Sequence, residues 1–125
     1  MGATVKVEVA IQDKANNNQP IAVDYVLIYD EKLLDEILRL PAKVWFEKRG
    51  QYKRDHPLNA AFDSWEWEWI PGQQVISRTI PLMAKAKGGV IFANYHTKGD
   101  HRARVDPHQN IRLTLLEDSF VVEPR

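Results

Sequence analysis

The stretch Trp65-Glu66-Trp67-Glu68-Trp69-Ile70-Pro71-Gly72 constrains the fold more than any other part of the chain. Three indoles alternate with two carboxylates, and a Pro-Gly pair follows. Period two ended by a turn signal predicts a strand with one very apolar face. Each buried indole carries roughly 150–250 Å² of surface. Left open, three of them would match or exceed the largest apolar patch of an ordinary monomer, about 300–600 Å². Another sheet, a helix or a partner must cover them.

The rest of the chain supplies candidates. Val5, Val7, Val9 and Ile11 alternate with Thr4, Lys6, Glu8 and Ala10, a half-buried strand. The segment Asp13, Lys14, Ala15, Asn16, Asn17, Asn18, Gln19, Pro20 comes next. Asparagine tolerates left-handed backbone and closes local turns, so this is an exposed loop. It is either a plain connection or a recognition loop held by two strands. Ile21 to Tyr29 is apolar on both faces apart from Asp24, as expected of a central strand covered on both sides. Asp30 fits a helix N-cap, and Leu33, Leu34, Ile37 and Leu38 form one stripe at helical spacing. Pro41 ends that helix near Leu40 and opens a second short one with Val44, Trp45 and Phe46, which Gly50 stops. This helical insertion, about residues 31–62 and including a short helix near Asn59–Phe62, is the expected cover for the tryptophan face. The basic stretch from Gly50 to Pro57 reads as a solvated loop.

Pro71-Gly72 predicts a hairpin joining the tryptophan strand to a strand over Gln73–Ile80. Lys85 to Gly89 reads as a turn, Val90 to Tyr95 as a central strand, and His96 to Gln109 as polar and turn-rich. Ile111–Leu115 and Phe120–Val122 make a closing hairpin across Glu117-Asp118. The result is about seven strands with one helical excursion between the second and third. That pattern is mainly β: a two-sheet antiparallel β-sandwich, one domain over residues 1–125.

Composition removes several functions. Lys plus Arg and Asp plus Glu both number 17, so the basic excess of a nucleic-acid binder is missing. Without cysteine there is no disulfide, thiol nucleophile or thiolate metal site. No run of about 18 apolar residues is present to span a membrane. Met1-Gly2-Ala3 leads directly into a strand pattern, with no signal peptide in this chain. His96, His101 and His108 share a segment with Asp100 and Asp106, a conceivable zinc set, but Arg102 and Arg104 lie among them. Ser64, Ser77 and Ser119 sit in no nucleophile-elbow pattern. Glu66 and Glu68 share a face at about 7 Å by the strand rise. That is a glycosidase-like spacing, and strand alternation alone also accounts for it. The second reading of Trp65, Trp67 and Trp69 is a carbohydrate- or ligand-binding platform.

The order of these segments resembles the TssJ (SciN) family, the outer-membrane lipoprotein of the type VI secretion system. The resemblance rests on the strand Val5–Ile11, the turn Asn16–Pro20 and the strand Ile21-Ala-Val-Asp-Tyr-Val-Leu-Ile-Tyr29. It continues through the insert with Leu33–Leu40, Ile70-Pro71-Gly72, Val90-Ile91-Phe92-Ala93-Asn94-Tyr95, Arg102–Val105 and the hairpin Ile111–Val122. The family's lipidated cysteine and signal peptide are absent from this chain, and the loop after Tyr95 is longer than the family pattern. The resemblance implies a transthyretin-like sandwich with a helical side element, held in the periplasm at the outer membrane by a lipid. It implies binding of the periplasmic C-terminal region of the inner-membrane protein TssM through the loop Asp13–Pro20. The implied role is structural assembly of the trans-envelope complex, with no catalysis, metal or cofactor.

Overall fold

The structure, a computed structural model, describes residues 2–125. Eight strands form two four-stranded sheets. They are β1 (Thr4–Ile11), β2 (Ile21–Ile28), β3 (Phe62–Trp69), β4 (Arg78–Pro81), β5 (Gly88–Ala93), β6 (Arg102–Val105), β7 (Ile111–Leu115) and β8 (Phe120–Pro124). The first sheet has the order β4-β1-β7-β8 and the second β3-β2-β5-β6. Every pairing is antiparallel except β1 with β7, which run parallel with Val7 opposite Ile111.

Two helices, α1 (Glu31–Ile37) and α2 (Ala42–Asp55), fill the connection from β2 to β3. Asp30 caps α1, its carboxylate accepting the Leu33 N–H at 2.8 Å. The helix ends at Ile37, and Leu38 to Leu40 close as turns rather than a further helical turn. Pro41 stands at the N-cap of α2. Gly50 does not stop this helix, which runs on to Asp55 through the stretch expected to be a loop. A glycine costs a helix interior only about 1 kcal/mol against alanine. Anchors on both sides of it, Arg49 and Lys53, hold the helix to the sheet. The expected helix at Asn59–Phe62 is instead a single 3₁₀ turn over Pro57–Asn59, and Phe62 already opens β3.

β2 is central, as its apolar run requires, and each of its faces meets a different core. Odd-numbered residues Ile21, Val23, Tyr25 and Leu27 face the other sheet, together with Ile91, Val7, Ile80, Leu113 and Leu115. Even-numbered Val26 and Ile28, with Val90 and Phe92, face the helices and meet Leu33, Leu34, Ile37 and Trp45. Register puts Trp65, Trp67 and Trp69 opposite Tyr25, Val23 and Ile21. The tryptophans therefore belong to the inter-sheet core. The second sheet's partner is the first sheet on that side, and the helices cover the reverse, carboxylate-bearing face. The expectation that the helical insertion covers the indoles is corrected accordingly.

Three local signals also resolve differently. Pro71-Gly72 does not close a hairpin. The chain crosses there to the other sheet, where β4 pairs with β1, and residues 73–77 form no strand. Gly88-Gly89 is not a turn but the start of β5, fully buried. A Cβ on Gly88 would lie 2.8 Å from Leu34 Cδ2, and one on Gly89 2.8 Å from Val105 Cγ2. The eighth strand, β6, has the polar segment's Arg102 and Arg104 on it and only Val105 buried.

A candidate partner-binding loop platform

Strand directions bring four connections to one end of the sandwich: Gln12–Pro20, Ile70–Ser77, Asn94–His101 and Leu116–Ser119. The loop singled out from sequence lies among them. Its asparagines do what their type allows: Asn16, Asn17 and Asn18 all hold left-handed backbone, with φ of 51°, 53° and 61°. Only part of the loop is exposed. Ala15 and Asn16 are buried, while Asp13, Lys14, Asn17, Asn18, Gln19 and Pro20 face solvent.

Asn16 is the fastening. Its Oδ1 accepts the main-chain N–H of His96 at 2.7 Å and the His96 Nδ1–H at 2.8 Å. Its Nδ2 donates to Pro20 O at 3.0 Å, and its own N–H donates to Glu117 O at 2.9 Å. One buried amide thus ties three of the four connections. Two more bonds complete the frame. Tyr95 Oη donates to Leu116 O at 2.8 Å, and Thr97 Oγ1 donates to Asp118 O at 2.7 Å. Burial pushes the Tyr95 hydroxyl upward against the opposing bond to Leu116, so it stays protonated as a donor. The fourth connection joins through Gly72, whose N–H donates to Gln12 O at 3.1 Å. Its φ of 75° and a 2.8 Å approach of any added Cβ to Asp13 Oδ1 leave room for glycine only.

Amide and aliphatic groups stand open to solvent on this platform. Asn17, Asn18 and Gln19 present amides from a frame that is already ordered. Beside them Ile70 and Ile76 are 58% and 87% exposed. An open cleft of about 700 Å³ runs from His96 and Lys98 to Lys43 and Phe46 on the first turns of α2. Sequence reasoning found the loop but not its holders. The signal for His96 and Tyr95 was only their position directly after a buried strand.

The remaining candidate residues are divided between this end and other parts of the fold. His101 stacks on Tyr95 and bonds Thr97 O at 2.9 Å, whereas His108 lies with Asp106 beyond β6. Among the described residues no group of three or more histidines and carboxylates could hold a metal. The three indoles point inward, with Trp69 buried and stacked on Trp67 at 5.3 Å, so they form no sugar platform. Glu66 is not half of an open carboxylate pair. It accepts from Ser64 Oγ at 2.7 Å and pairs with Lys53, with Arg49 at 3.7 Å. Burial would raise its carboxyl, but Lys53, Ser64 and Arg49 outweigh it and hold it below the usual range.

Over its whole length the chain superposes on solved structures from type VI secretion systems. The lipoprotein TssJ1 of the type VI secretion system of Pseudomonas aeruginosa superposes with a TM-score of 0.72 at 14% identity, over 100% of this chain and 98% of that one. The fold is that of the type VI secretion lipoproteins. The Serratia marcescens Lip protein, a membrane-bound component of the same kind of system, gives 0.69 at 14% identity, covering 100% and 97%. A chain in the structure of the TssM C-terminal domain from EAEC gives 0.67 at 12% identity, covering 98% of each. No family model matches the sequence, and no curated protein matches it closely.

Proposed function

We propose that this protein is a non-enzymatic assembly component of a type VI secretion envelope complex. It binds the C-terminal periplasmic region of a TssM-like inner-membrane protein through the loop Asp13–Pro20. In this reading it works in the periplasm, anchored to the outer membrane by a lipid on a longer form of the chain. The observation that carries the reading is the loop itself: exposed amides on a backbone already fixed in its left-handed shape. A loop ordered before binding loses little conformational entropy on association. The end-to-end match to the lipoprotein fold supports the rest.

The test separates the loop's frame from its contacts. Asn17→Gly with Asn18→Gly removes the exposed amides and keeps the backbone free to hold positive φ. Asn16 is left alone, because its side chain holds the frame. The thermal midpoint is expected to move by only a few degrees, while calorimetric affinity for the TssM-like domain falls at least tenfold. Undiminished binding by a folded variant would refute the loop assignment.

A further inference from the structure

The sandwich has four sheet edges, and three are short or guarded. β4 and β6 span four residues each, and Pro81 and Pro124 stand in β4 and β8. Proline and brevity are the usual defences of an edge. β3 is different: eight residues, no proline, and a partner on one side only.

Register shows which groups are open. Tyr29 N–H donates to Ala61 O at 2.8 Å, which extends the β2–β3 ladder by one pair. Bonded pairs in an antiparallel ladder alternate. Odd-numbered residues of β3 therefore turn their main-chain groups toward β2, and Ser64, Glu66 and Glu68 turn theirs outward. Ile70, next in that series, is closed off by Gln73, whose Oε1 accepts its N–H at 3.1 Å. The Ser64 N–H is drawn to the Asp63 carboxylate. Among the described residues nothing bonds the outward groups of Glu66 and Glu68. Exposure agrees. Glu66 counts as exposed although its side chain is only 29% accessible, so the open part is its main chain.

We infer that the β3 edge is a second docking site, which takes an extended segment of another protein as an added strand with a basic residue opposite Glu68. Main-chain bonds to Glu66 and Glu68 supply the pairing, and alternate side chains supply the selectivity. One row of the incoming strand lies beside Ser64, Glu66 and Glu68, where Glu68 makes no ion pair among the described residues. The other row runs along the half-buried rims of Trp65 and Trp67 and calls for apolar side chains. A second copy of this chain fits badly. Antiparallel pairing about a two-fold at Glu68 sets that unpaired carboxylate opposite itself, and like charges directly opposite are destabilising. The site is separate from the Asp13–Pro20 loop and does not depend on the reading given to it.

The probe is a nine-residue peptide alternating Lys and Val, and the readout is amide hydrogen exchange resolved by NMR. At saturation this peptide is expected to slow exchange at Glu66 and Glu68 at least tenfold. A Glu-Val peptide and a fully N-methylated Lys-Val peptide should leave both amides unchanged. Glu68→Lys, a surface change, should weaken the Lys-Val peptide and admit the Glu-Val one. The loop variant Asn17→Gly, Asn18→Gly should respond like the parent chain. No slowing at millimolar peptide would overturn the proposal, as would equal slowing by the N-methylated peptide. Protection that rises with protein concentration alone would overturn it in favour of self-pairing.

Discussion

The two faces of the second sheet bury comparable apolar rows but solve different problems. The face toward the first sheet is apolar: Val23, Leu27, Ile91, Leu113 and Leu115 meet there, and the Tyr25 hydroxyl is a buried polar atom without a partner among the described residues. The face under the helices carries a charge. Asp24 is fully buried there and accepts from Trp45 Nε1 at 2.8 Å and from Arg49 Nη1 at 3.0 and 2.9 Å. Burial dominates and raises the Asp24 carboxyl above its ordinary range, with Trp45 and Arg49 opposing. The two sheets meet through rows of apolar side chains contributed by several strands of each. A helix laid across strands has no ladder to position it, and the Asp24 bonds fix where α2 sits. Such a buried pair specifies geometry more than it adds stability.

The sharpest way to break this difference is to remove the charge. Asp24→Ala leaves the buried Trp45 N–H without its acceptor and is expected to cost about 1–3 kcal/mol. Urea unfolding would show it, with near-native stability of the variant refuting the role. The effect should be local to the helical side, so hydrogen exchange in α2 should rise more than in β7.

Acid titration sharpens the comparison by a smaller amount, because the two carboxylates under the helix are shifted in opposite directions. Glu66 has a folded value below its ordinary 4.5. Its contribution is therefore present above pH 4.5 and lost as pH falls through the folded value. Asp24 has a folded value above 3.8, so its titration lowers stability as pH rises from 3.8 through the folded value. The stability gap between the parent chain and Glu66→Gln should thus shrink between pH 7 and pH values below 4.5. A gap that stays constant in urea midpoints over that range would contradict the Lys53–Glu66 assignment.

The smallest effect belongs to the apolar face. Tyr25→Phe removes a hydroxyl that burial holds at a pKa of about 12 and that has no partner. Deleting an unsatisfied polar atom should be neutral or stabilising by up to about 1 kcal/mol. A loss above that in thermal unfolding would mean the hydroxyl has a partner after all.

The same contrast explains what could be read from the sequence. Elements with one strong periodicity were legible: β2 as a central strand, the Asp30 cap, the β7–β8 hairpin, and two sheets with a helical insertion. Local signals overridden by distant contacts were not. Gly50 sits inside α2 because Arg49 and Lys53 bind strands from other parts of the chain. Gly88-Gly89 mark a tight approach by Leu34 and Val105, which composition reads as a turn. Pro71-Gly72 ends one sheet without announcing that the next strand joins the other. The candidate loop was visible through its asparagines. Its fastening was not, since Asn16 and His96 are 80 residues apart.

The parallel pair of β1 and β7 has a consequence in time. Val7 and Ile111 are 111 − 7 = 104 positions apart. Contacts of such long range form late, because the intervening chain must be closed first. During synthesis β1 emerges early and can pair first only with β4, a four-residue strand that leaves its opposite edge bare. That bare edge is the aggregation hazard of an unfinished sheet. Within this chain, the interval from the making of β4 to the arrival of β7 is when a chaperone would have most to protect.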